Sequence, residues 1–322
     1  MSKEVSRRLD RLLNQAESER SCLVAFADVD RRALERRVHA GSLVRPLPLL
    51  YVRTQTWEEL EPDEQALWVV RGCAGLHQDW TFCGVSAALA HGLQVAWRSL
   101  GKVHIATAAG SQTFDELTIS RHYVSGDETC SLDGVRATSL WRTVFDCARW
   151  LPRGEALAVA DSALKKTGRD AEWLVEYFRV NFKGYRGLRR SLEVAEIADA
   201  RSDNAGESLA RSAIIDLGFE CPDLQYEVAD PLEPHRSYFV DFAWLDEAGN
   251  PVLFGELDGY RKTTNARYRS GRTPERVLAD ERRRESRISR LGVPVVRFSL
   301  AEATNPYVLG RLLESFGAPF AA

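Results

Sequence analysis

The chain has 322 residues, 44% of them hydrophobic and 28% charged, and its formal net charge is −3. This composition is typical of a globular protein with two or three domains, and it excludes a disordered chain and a generic binder of polyanions. No run approaches the roughly 20 apolar residues of a membrane span, and the charged N-terminus lacks the apolar centre of a signal peptide. We therefore expect a cytoplasmic protein with no membrane partner.

Residues 1–55 have the pattern of a small helical domain that ends in a hairpin. Apolar residues at helical spacing begin with Val5 and Leu9, a second short helix is predicted over residues 22–28, and a third begins at Asp30 and ends at Gly41. The apolar run LVRPLPLLYVR, which two prolines interrupt, predicts a hairpin. Three short helices followed by a hairpin are the plan of a winged helix-turn-helix.

The third predicted helix is basic and is the candidate for DNA contact. Its arginines are Arg31, Arg32, Arg36 and Arg37. Guanidinium groups on a helix that enters the major groove contact phosphates or guanine edges. A solvated basic face on a small helical domain explains the same pattern, and composition alone does not separate the two interpretations.

Residues 56–200 predict a mixed α/β domain without a catalytic signature. Helices are expected over 62–75, 81–93, 139–151 and 154–166, and strands over 102–108 and 116–124. His91 precedes Gly92 at a helix end, where a capping or packed histidine is the expected role. The six cysteines are scattered, without a CxxC pair or a histidine at metal-ligand spacing, so neither zinc nor a disulfide is predicted.

Residues 201–322 predict a helix, a hairpin, a helix and a strand in chain order. The first helix is expected over 204–218, the hairpin over 235–260, and the second helix from Thr273 and Pro274 to Gly292. The run PVVRFSL predicts the last strand. The whole chain is thus predicted to be α/β, in the broader α+β sense, with domains at residues 1–55, 56–200 and 201–322.

Two acidic residues are expected to face each other across the predicted hairpin. Symmetric pairing about the turn DEAGNP sets Asp241 opposite Glu256 on one face of the two strands. That register also pairs Leu245 with Val252. Opposed residues have Cβ atoms about 4.5–5.5 Å apart, whereas a slip of one residue would move them to opposite faces. Carboxylates this close repel each other unless a cation lies between them, and their hard oxygens suit Mg²⁺ or Mn²⁺.

Two further acids extend this candidate site. Asp258 lies two residues after Glu256 on the same strand face, and Glu207 is in line with the apolar stripe of Ala210 and Ile214 on the preceding helix. At that helix end Glu207 is placed to hold a metal-bound water or to complete the cation site. The alternative is that these acids are ordinary surface residues of an amphipathic hairpin and helix.

The order of these acids resembles the PD-(D/E)xK nuclease superfamily, in which a helix acid precedes an Asp on one strand and a Glu on the next. More narrowly, VDFAWLDEAGNPVLFGELDGYRK followed by DERRRESRISRLGVPVVRFS is similar to very-short-patch-repair-like endonuclease domains. The resemblance implies a restriction-endonuclease-like domain with a central mixed sheet flanked by helices.

The resemblance also implies roles for single residues. It implies that Glu207 is the helix acid and that Asp241 and Glu256 are ligands of Mg²⁺ or Mn²⁺. It also implies that Asp258 is an auxiliary ligand and that Gln225 has a weaker role. The sequence departs from the superfamily at one position, because Asp258 replaces the lysine two residues after the Glu. Lys262 is the candidate substitute, and a nuclease fold without activity is the alternative.

The front of the chain resembles actinobacterial proteins with an AbiEi-type antitoxin winged-helix region. The similar stretches are LERRVHAGSLVRPLPLLYV, FCGVSAALAHGL, GVRATSLWRTVFDCARWLP and ALAVADSALKK. The resemblance implies a DNA-binding repressor, with DNA as partner and a cognate toxin or a second copy of the chain as further partners. It also implies a place in phage defence or in a toxin–antitoxin system.

The last predicted helix is rich in arginine. Arg283, Arg284 and Arg287 are candidates for contact with DNA phosphates, and such contacts make binding depend on salt. Arg284 is in line with Val277, Ile288 and Leu291, so an inward direction is open for it, and a solvated helix face is the alternative for each of the three. Arg297, on the last predicted strand, faces either the acids or solvent.

Three functions are consistent with these patterns. The first is a DNA-binding protein with a Mg²⁺-dependent endonuclease domain. The second is a non-enzymatic AbiEi-type repressor in which the nuclease fold is degenerate. The third is a pure interaction partner for a toxin, which predicts no shift of DNA at low salt. Cleavage of DNA in the presence of a divalent ion separates the first two.

Overall fold

The structure is a computed structural model that describes residues 3–108, 117–124, 129–233, 235–258 and 274–321. It is a mixture of helix and sheet, which confirms the broad fold class. The chain forms two compact units, Met1–Trp150 and Leu151–Ala322. The predicted domain limits at residues 55 and 200 stay predictions.

The first unit begins with two helices and three short strands. They are α1 (Lys3–Ser18), β1 (Leu23–Val24), α2 (Asp28–His39), β2 (Leu43–Val44) and β3 (Leu50–Arg53). The strands form an antiparallel sheet in the order β1-β3-β2. Leu9 and Leu13 of α1 pack with Leu34 of α2 and Tyr51 of β3 in a buried cluster. The predicted hairpin over LVRPLPLLYVR is therefore present as β2 and β3.

The predicted helix over residues 22–28 is wrong. Leu23 and Val24 form β1 and pair with Tyr51 and Leu50. A seven-residue segment is too short to be stable as a helix alone, and here its apolar side chains are buried by the sheet. The next helix also begins at Asp28, two residues before the predicted start.

The rest of the first unit contains the predicted helices and strands in order, together with one helix and two strands that were not predicted. It comprises α3 (Thr54–Glu59), α4 (Pro62–Leu76), α5 (Gly84–Ala90), β4 (Val103–Thr107), β5 (Ile119–Tyr123), β6 (Thr129–Leu132), β7 (Val135–Thr138) and α6 (Leu140–Trp150). The elements that were not predicted are α3, β6 and β7. Leu50 and Val52 of β3 share a buried cluster with Trp68 of α4, so residues 1–55 and the following segment are packed together. His91 is buried at the end of α5, with its Nε2 atom 2.8 Å from the Thr138 carbonyl oxygen, which confirms a packed histidine.

The second unit is a four-stranded sheet between helices. Its elements are α7 (Arg153–Thr167), α8 (Ala171–Asn181), α9 (Leu188–Glu196), α10 (Ala205–Asp216), β8 (Asp223–Ala229), β9 (Ser237–Leu245), β10 (Pro251–Asp258), α11 (Pro274–Ile288), β11 (Val295–Ser299), α12 (Leu300–Ala303) and α13 (Pro306–Ser315). The strand order is β11-β10-β9-β8, with β10 and β11 parallel and the other pairs antiparallel. The predicted helix, hairpin, helix and strand are all present, while Thr273 lies outside the described residues.

Both faces of this sheet are covered. Phe242, Trp244 and Phe298 belong to a cluster that α10 and α13 bury on one face. Val240 and Phe254 pack with Ile288 of α11 on the other face. We call these the α10 face and the α11 face.

No helix in the described ranges combines the length and the apolar character that crossing a membrane requires.

A buried ion pair fixes α10 against α7. Arg211 of α10 donates to the Asp161 carboxylate at 2.7 Å, and both side chains are 2% exposed. The Ser208 hydroxyl donates to the same oxygen at 2.7 Å, and the Asp199 main-chain N–H donates to the other. Because Ser208 and Arg211 lie on one face of α10, the network sets the rotation of the helix that carries Glu207.

We expect Asp161→Ala to lower the free energy of unfolding of the second unit by about 3–5 kcal/mol, because it leaves the Arg211 guanidinium buried without its partner. The matched control is Asp216→Ala, which breaks the partly exposed Arg153–Asp216 pair and should cost less than about 1 kcal/mol. Urea titrations of the two variants give both values. Equal losses would contradict the structural role of the Asp161 network.

Candidate active site

The regular alternation of side chains breaks in two neighbouring strands of the second unit. Leu224 packs on the α10 face and Tyr226 on the α11 face, although only one residue separates them. Phe242 and Val240 of β9 differ in the same way. In a regular strand each pair would share a face. The break in β8 lies at Gln225, whose φ is +48°, and the break in β9 lies at Asp241.

The paired part of the hairpin ends next to Asp241 and Glu256. The predicted pairing of Leu245 with Val252 is wrong, because Leu245 pairs with Pro251 and the register shifts before Leu253. After that shift Phe254 faces Ala243 and Gly255 faces Phe242. The ladder ends with this pair, one residue before Glu256 and Asp241, so the direct opposition of these two acids stays a prediction.

Asp241 lies where β9 stops pairing with β10. The ladder between the two strands ends at Gly255, while β10 continues beside β11 as far as Asp258. The main-chain N–H of Leu257 instead donates to the Asp241 carboxylate at 2.8 Å. The Asp241 side chain thus substitutes for the missing main-chain acceptor, which holds its carboxylate at the opening between the strands.

Glu207 is held at the first turn of α10. Its carboxylate accepts hydrogen bonds from the Asp203 main-chain N–H at 2.8 Å and from the Gln225 side chain at 3.1 Å. The Asn204 side chain caps the helix by accepting from the Glu207 main-chain N–H. Because the Glu207 carboxylate accepts from the main chain just before the helix, this acid has a structural role besides any chemical one.

A glycine lets α10 approach the acids closely. A Cβ atom at Gly206 would lie 2.9 Å from the Asn204 side-chain oxygen and 3.0 Å from a methyl group of Leu257. Any larger side chain would push the first turn of α10 away from the end of β10. The close approach brings Glu207 near the strand that carries Glu256.

Burial and mutual repulsion weaken the acidity of this cluster. Burial raises the pKa of Glu207 to about 7, and the negative charge of Asp241 adds to the rise. Burial likewise raises the pKa of Glu256 to about 7, Asp241 adds to it, and the Arg284 guanidinium opposes it. The same Asp241 charge acts on both glutamates, so the three carboxylates form one electrostatic cluster.

Glu256 has an arginine as its partner. Arg284 of α11 donates to both Glu256 carboxylate oxygens, at 2.6 and 3.2 Å, and to the main-chain carbonyl of Phe239. The basic run predicted that Arg284 contacts DNA phosphates, whereas the structure turns it inward onto the acid cluster. Helical spacing contains the signal, because Arg284 and Ile288 lie on one face and Ile288 is buried.

The remaining predicted residues lie at the margin of the cluster or away from it. Arg297 pairs with Glu285 of α11 at 2.6 Å and lies 3.7 Å from Asp258, whose side chain is largely exposed. Arg287 binds Asp230 with one nitrogen 2.8 and 2.9 Å from its two oxygens, so it is turned inward rather than toward a ligand in solvent. Arg283 is exposed. Lys262 lies outside the described residues.

The four arginines of α2 fall into two groups, one that forms ion pairs with acids and one that is exposed. Arg37 binds Asp10 of α1 at 2.6 Å, and Arg31 pairs with Asp28 one turn earlier. Arg32 and Arg36 are exposed. Of the four residues predicted to contact DNA, these two present their side chains to solvent in the first unit.

The acids suit a hard divalent cation that retains part of its hydration. In the part of the chain that the structure describes, no three acid, histidine or cysteine side chains form a ready-made metal cage. Mg²⁺ is often bound by one or two carboxylates together with water and substrate oxygens, so a complete protein cage is not required. The repulsion that Asp241 exerts on Glu207 and Glu256 is the feature that a cation would relieve.

The comparisons with known proteins give relatives without an assigned activity. No family model matches the chain. Two uncharacterized proteins of Mycobacterium tuberculosis, MT2308 of strain CDC 1551 and Rv2248 of strain H37Rv, are each 36% identical to it over 127 residues. The match covers 39% of this chain and 45% of each relative, so it spans less than half of the relatives' length.

We expect the stability of the metal-free second unit to fall as pH rises from about 5 to 7. Glu207 and Glu256 have usual pKa values of 4.5 and folded values of about 7, so the folded state holds their protons more tightly than the unfolded state. The contribution of each protonated glutamic acid to the free energy of unfolding is complete below about pH 4.5 and is lost as pH passes 7. We expect the loss to be of the order of 2 kcal/mol for each group.

Unfolding free energies measured in urea with a chelator, from pH 5 to 8, test this dependence. Glu207→Gln should flatten the slope, whereas Glu227→Gln, at an exposed position of β8, should leave it as in the wild type. An unchanged slope in Glu207→Gln would mean that the buried carboxylate does not titrate in this range.

Proposed function

We propose that this chain is a bacterial cytoplasmic DNA-binding protein with a Mg²⁺-dependent phosphodiesterase site in its second unit. The observation that carries the proposal is the position of Asp241, whose charge raises the pKa of both Glu207 and Glu256. Like charges buried together reduce stability, and functional sites are where such arrangements concentrate. The mixed sheet between helices supports the endonuclease-like interpretation of residues 201–322.

The residues of the cluster divide the work of phosphodiester hydrolysis. Asp241 and Glu256 would hold the cation, which when bound polarises the phosphate and lowers the pKa of a coordinated water. Glu207, with a pKa near 7 and its carboxylate oriented by Asp203 and Gln225, is suited to orient a water and accept its proton. Asp258, which is largely exposed, would serve as an auxiliary ligand.

Two exposed basic surfaces support DNA as the partner. The outer side of α11 and its following turn exposes Arg276, Arg282, Arg283 and Arg290. In the first unit, α2 with exposed Arg32 and Arg36 and the β2–β3 hairpin correspond to the recognition helix and wing of the expected winged-helix region. Neutralised phosphates would make binding at either surface fall steeply with salt.

The alternative proposal is a DNA-binding repressor without nuclease activity. Asp258 stands where the resemblance expects a lysine, and Arg284 engages both oxygens of Glu256. A purified chain that shifts duplex DNA yet never nicks it with any divalent ion would favour this alternative. In that case the second unit would serve as a surface for a cognate toxin or for a second copy of the chain.

We expect Glu256→Gln to abolish cleavage of duplex DNA in Mg²⁺ or Mn²⁺ without unfolding the second unit, because the amide keeps the shape of the side chain and removes its charge. Gel assays for nicking with both ions, together with circular dichroism, give the result. Glu227→Gln is the matched control and should cut at the wild-type rate. Cleavage by Glu256→Gln would show that the cluster is assigned wrongly.

We expect Arg32→Ala with Arg36→Ala to weaken duplex binding and to reduce the slope of log affinity against log salt by about 1 for each phosphate that is no longer neutralised. Fluorescence anisotropy at 50–200 mM salt measures both quantities. Arg37→Ala, which breaks a pair with Asp10 inside the unit, serves for comparison and should lower stability rather than the salt slope. Identical slopes in wild type and the double variant would remove α2 from the DNA interface.

A further inference from the structure

We propose that Arg284 is the fixed cation of the acid cluster, which holds Glu256 in place and supplies the positive charge that position 258 lacks. This inference rests on the proposed function of the cluster. Arg284 acts through Glu256 and is therefore a positioning residue. It replaces the DNA-contact role that the sequence suggested for this arginine.

The guanidinium of Arg284 is fixed from three directions. It donates to both carboxylate oxygens of Glu256 and to the Phe239 carbonyl, and its side chain is only 19% exposed. Two parallel N–H···O bonds orient a carboxylate as well as neutralise it. The Phe239 carbonyl belongs to β9, two residues before Asp241, so the same guanidinium connects both strands of the cluster.

The position of α11 is set independently of Arg284. Arg287 of α11 binds Asp230, which also accepts hydrogen bonds from the Tyr238 hydroxyl and from the Leu232 main-chain N–H. Ile288 is 4% exposed in the cluster on the α11 face. Because Arg287 and Ile288 follow Arg284 by three and four positions, the helix presents it to Glu256 without depending on that contact.

The negative charge of the cluster requires a compensating positive charge, and Arg284 supplies one. The cluster contains the carboxylates of Glu207, Asp241 and Glu256, and Asp258 of β10 adds a fourth nearby. A phosphodiester would bring a further negative charge. An anion does not approach buried carboxylates unless positive charge offsets theirs. A cation held by the protein offsets part of it before any metal ion binds.

The contact leaves room for a metal ion. A carboxylate has about four lone-pair positions, and Arg284 uses two of them on Glu256. A divalent ion bound to the others would lie near the guanidinium, so Arg284 should oppose metal binding while it supports cleavage. The two effects have opposite signs, which separates this role from one of merely holding α11 in place.

Mn²⁺ titration by calorimetry and cleavage of duplex DNA, both with the full chain, test the proposal. We expect Arg284→Gln to bind Mn²⁺ roughly tenfold more tightly and to cleave at least 10²-fold more slowly. Arg284→Lys should retain cleavage within about tenfold of wild type. Arg311→Gln, at an exposed position of α13, controls for the loss of one positive charge and should change neither quantity.

A second-site variant sharpens the test. Adding Asp258→Lys to Arg284→Gln should return both Mn²⁺ affinity and cleavage toward wild type, because it restores a cation beside Glu256. Arg287→Gln removes a different anchor of α11 and should not tighten Mn²⁺ binding. Circular dichroism establishes that each variant is folded.

The outcomes distinguish the two proposals. If Arg284→Gln weakens Mn²⁺ binding together with cleavage, or if Asp258→Lys restores neither, the inference is wrong. If the wild type binds Mn²⁺ but cuts no DNA, the proposed enzymatic function is wrong, and the Mn²⁺ affinities alone decide the role of Arg284. If the wild type binds no Mn²⁺, both proposals are overturned.

Discussion

The second unit is organised around a local failure of sheet geometry. At Gln225 and Asp241 two adjacent strands exchange faces, so that the side chains before and after these residues join different clusters. A carboxylate at such a point belongs to neither of the two buried clusters. It replaces a main-chain acceptor for Leu257 and faces the acids that α10 and β10 bring to the opening. Repulsion among these carboxylates lowers the stability of the folded unit, and the packing of α10 and α11 on the two faces of the sheet offsets that loss.

The sequence was informative where periodicity and turn chemistry act over short distances. The helix of residues 205–216 follows from helical periodicity, and the hairpin follows from strand alternation and a turn rich in Gly, Asn and Pro. The predicted register failed at Leu245, because an irregularity near the turn pairs this residue with Pro251. The helix predicted over residues 22–28 failed because burial by a distant strand outweighed a short apolar pattern.

Composition alone does not give the direction of single arginines, whereas helical spacing gives it in part, because it aligns Arg284 with Ile288. Arg283, Arg284 and Arg287 are near neighbours in a basic run, and composition treats them alike. The structure separates them by helical rotation, since Ile288 is buried and Arg284 and Arg287 lie on its side of α11. The sequence also contained no sign of the positive φ of Gln225, because glutamine is not among the residues that favour the left-handed region.

The buried Asp161–Arg211 pair has a consequence for how the protein can be divided. A fragment cut at residue 200, where the sequence pattern changes, would retain Arg211 but lose α7, which supplies its counter-charge. The guanidinium would be left in an apolar contact surface, and the helix that carries Glu207 would lose its support. A fragment meant to fold on its own should therefore begin near Leu151, so that α7 stays with α10.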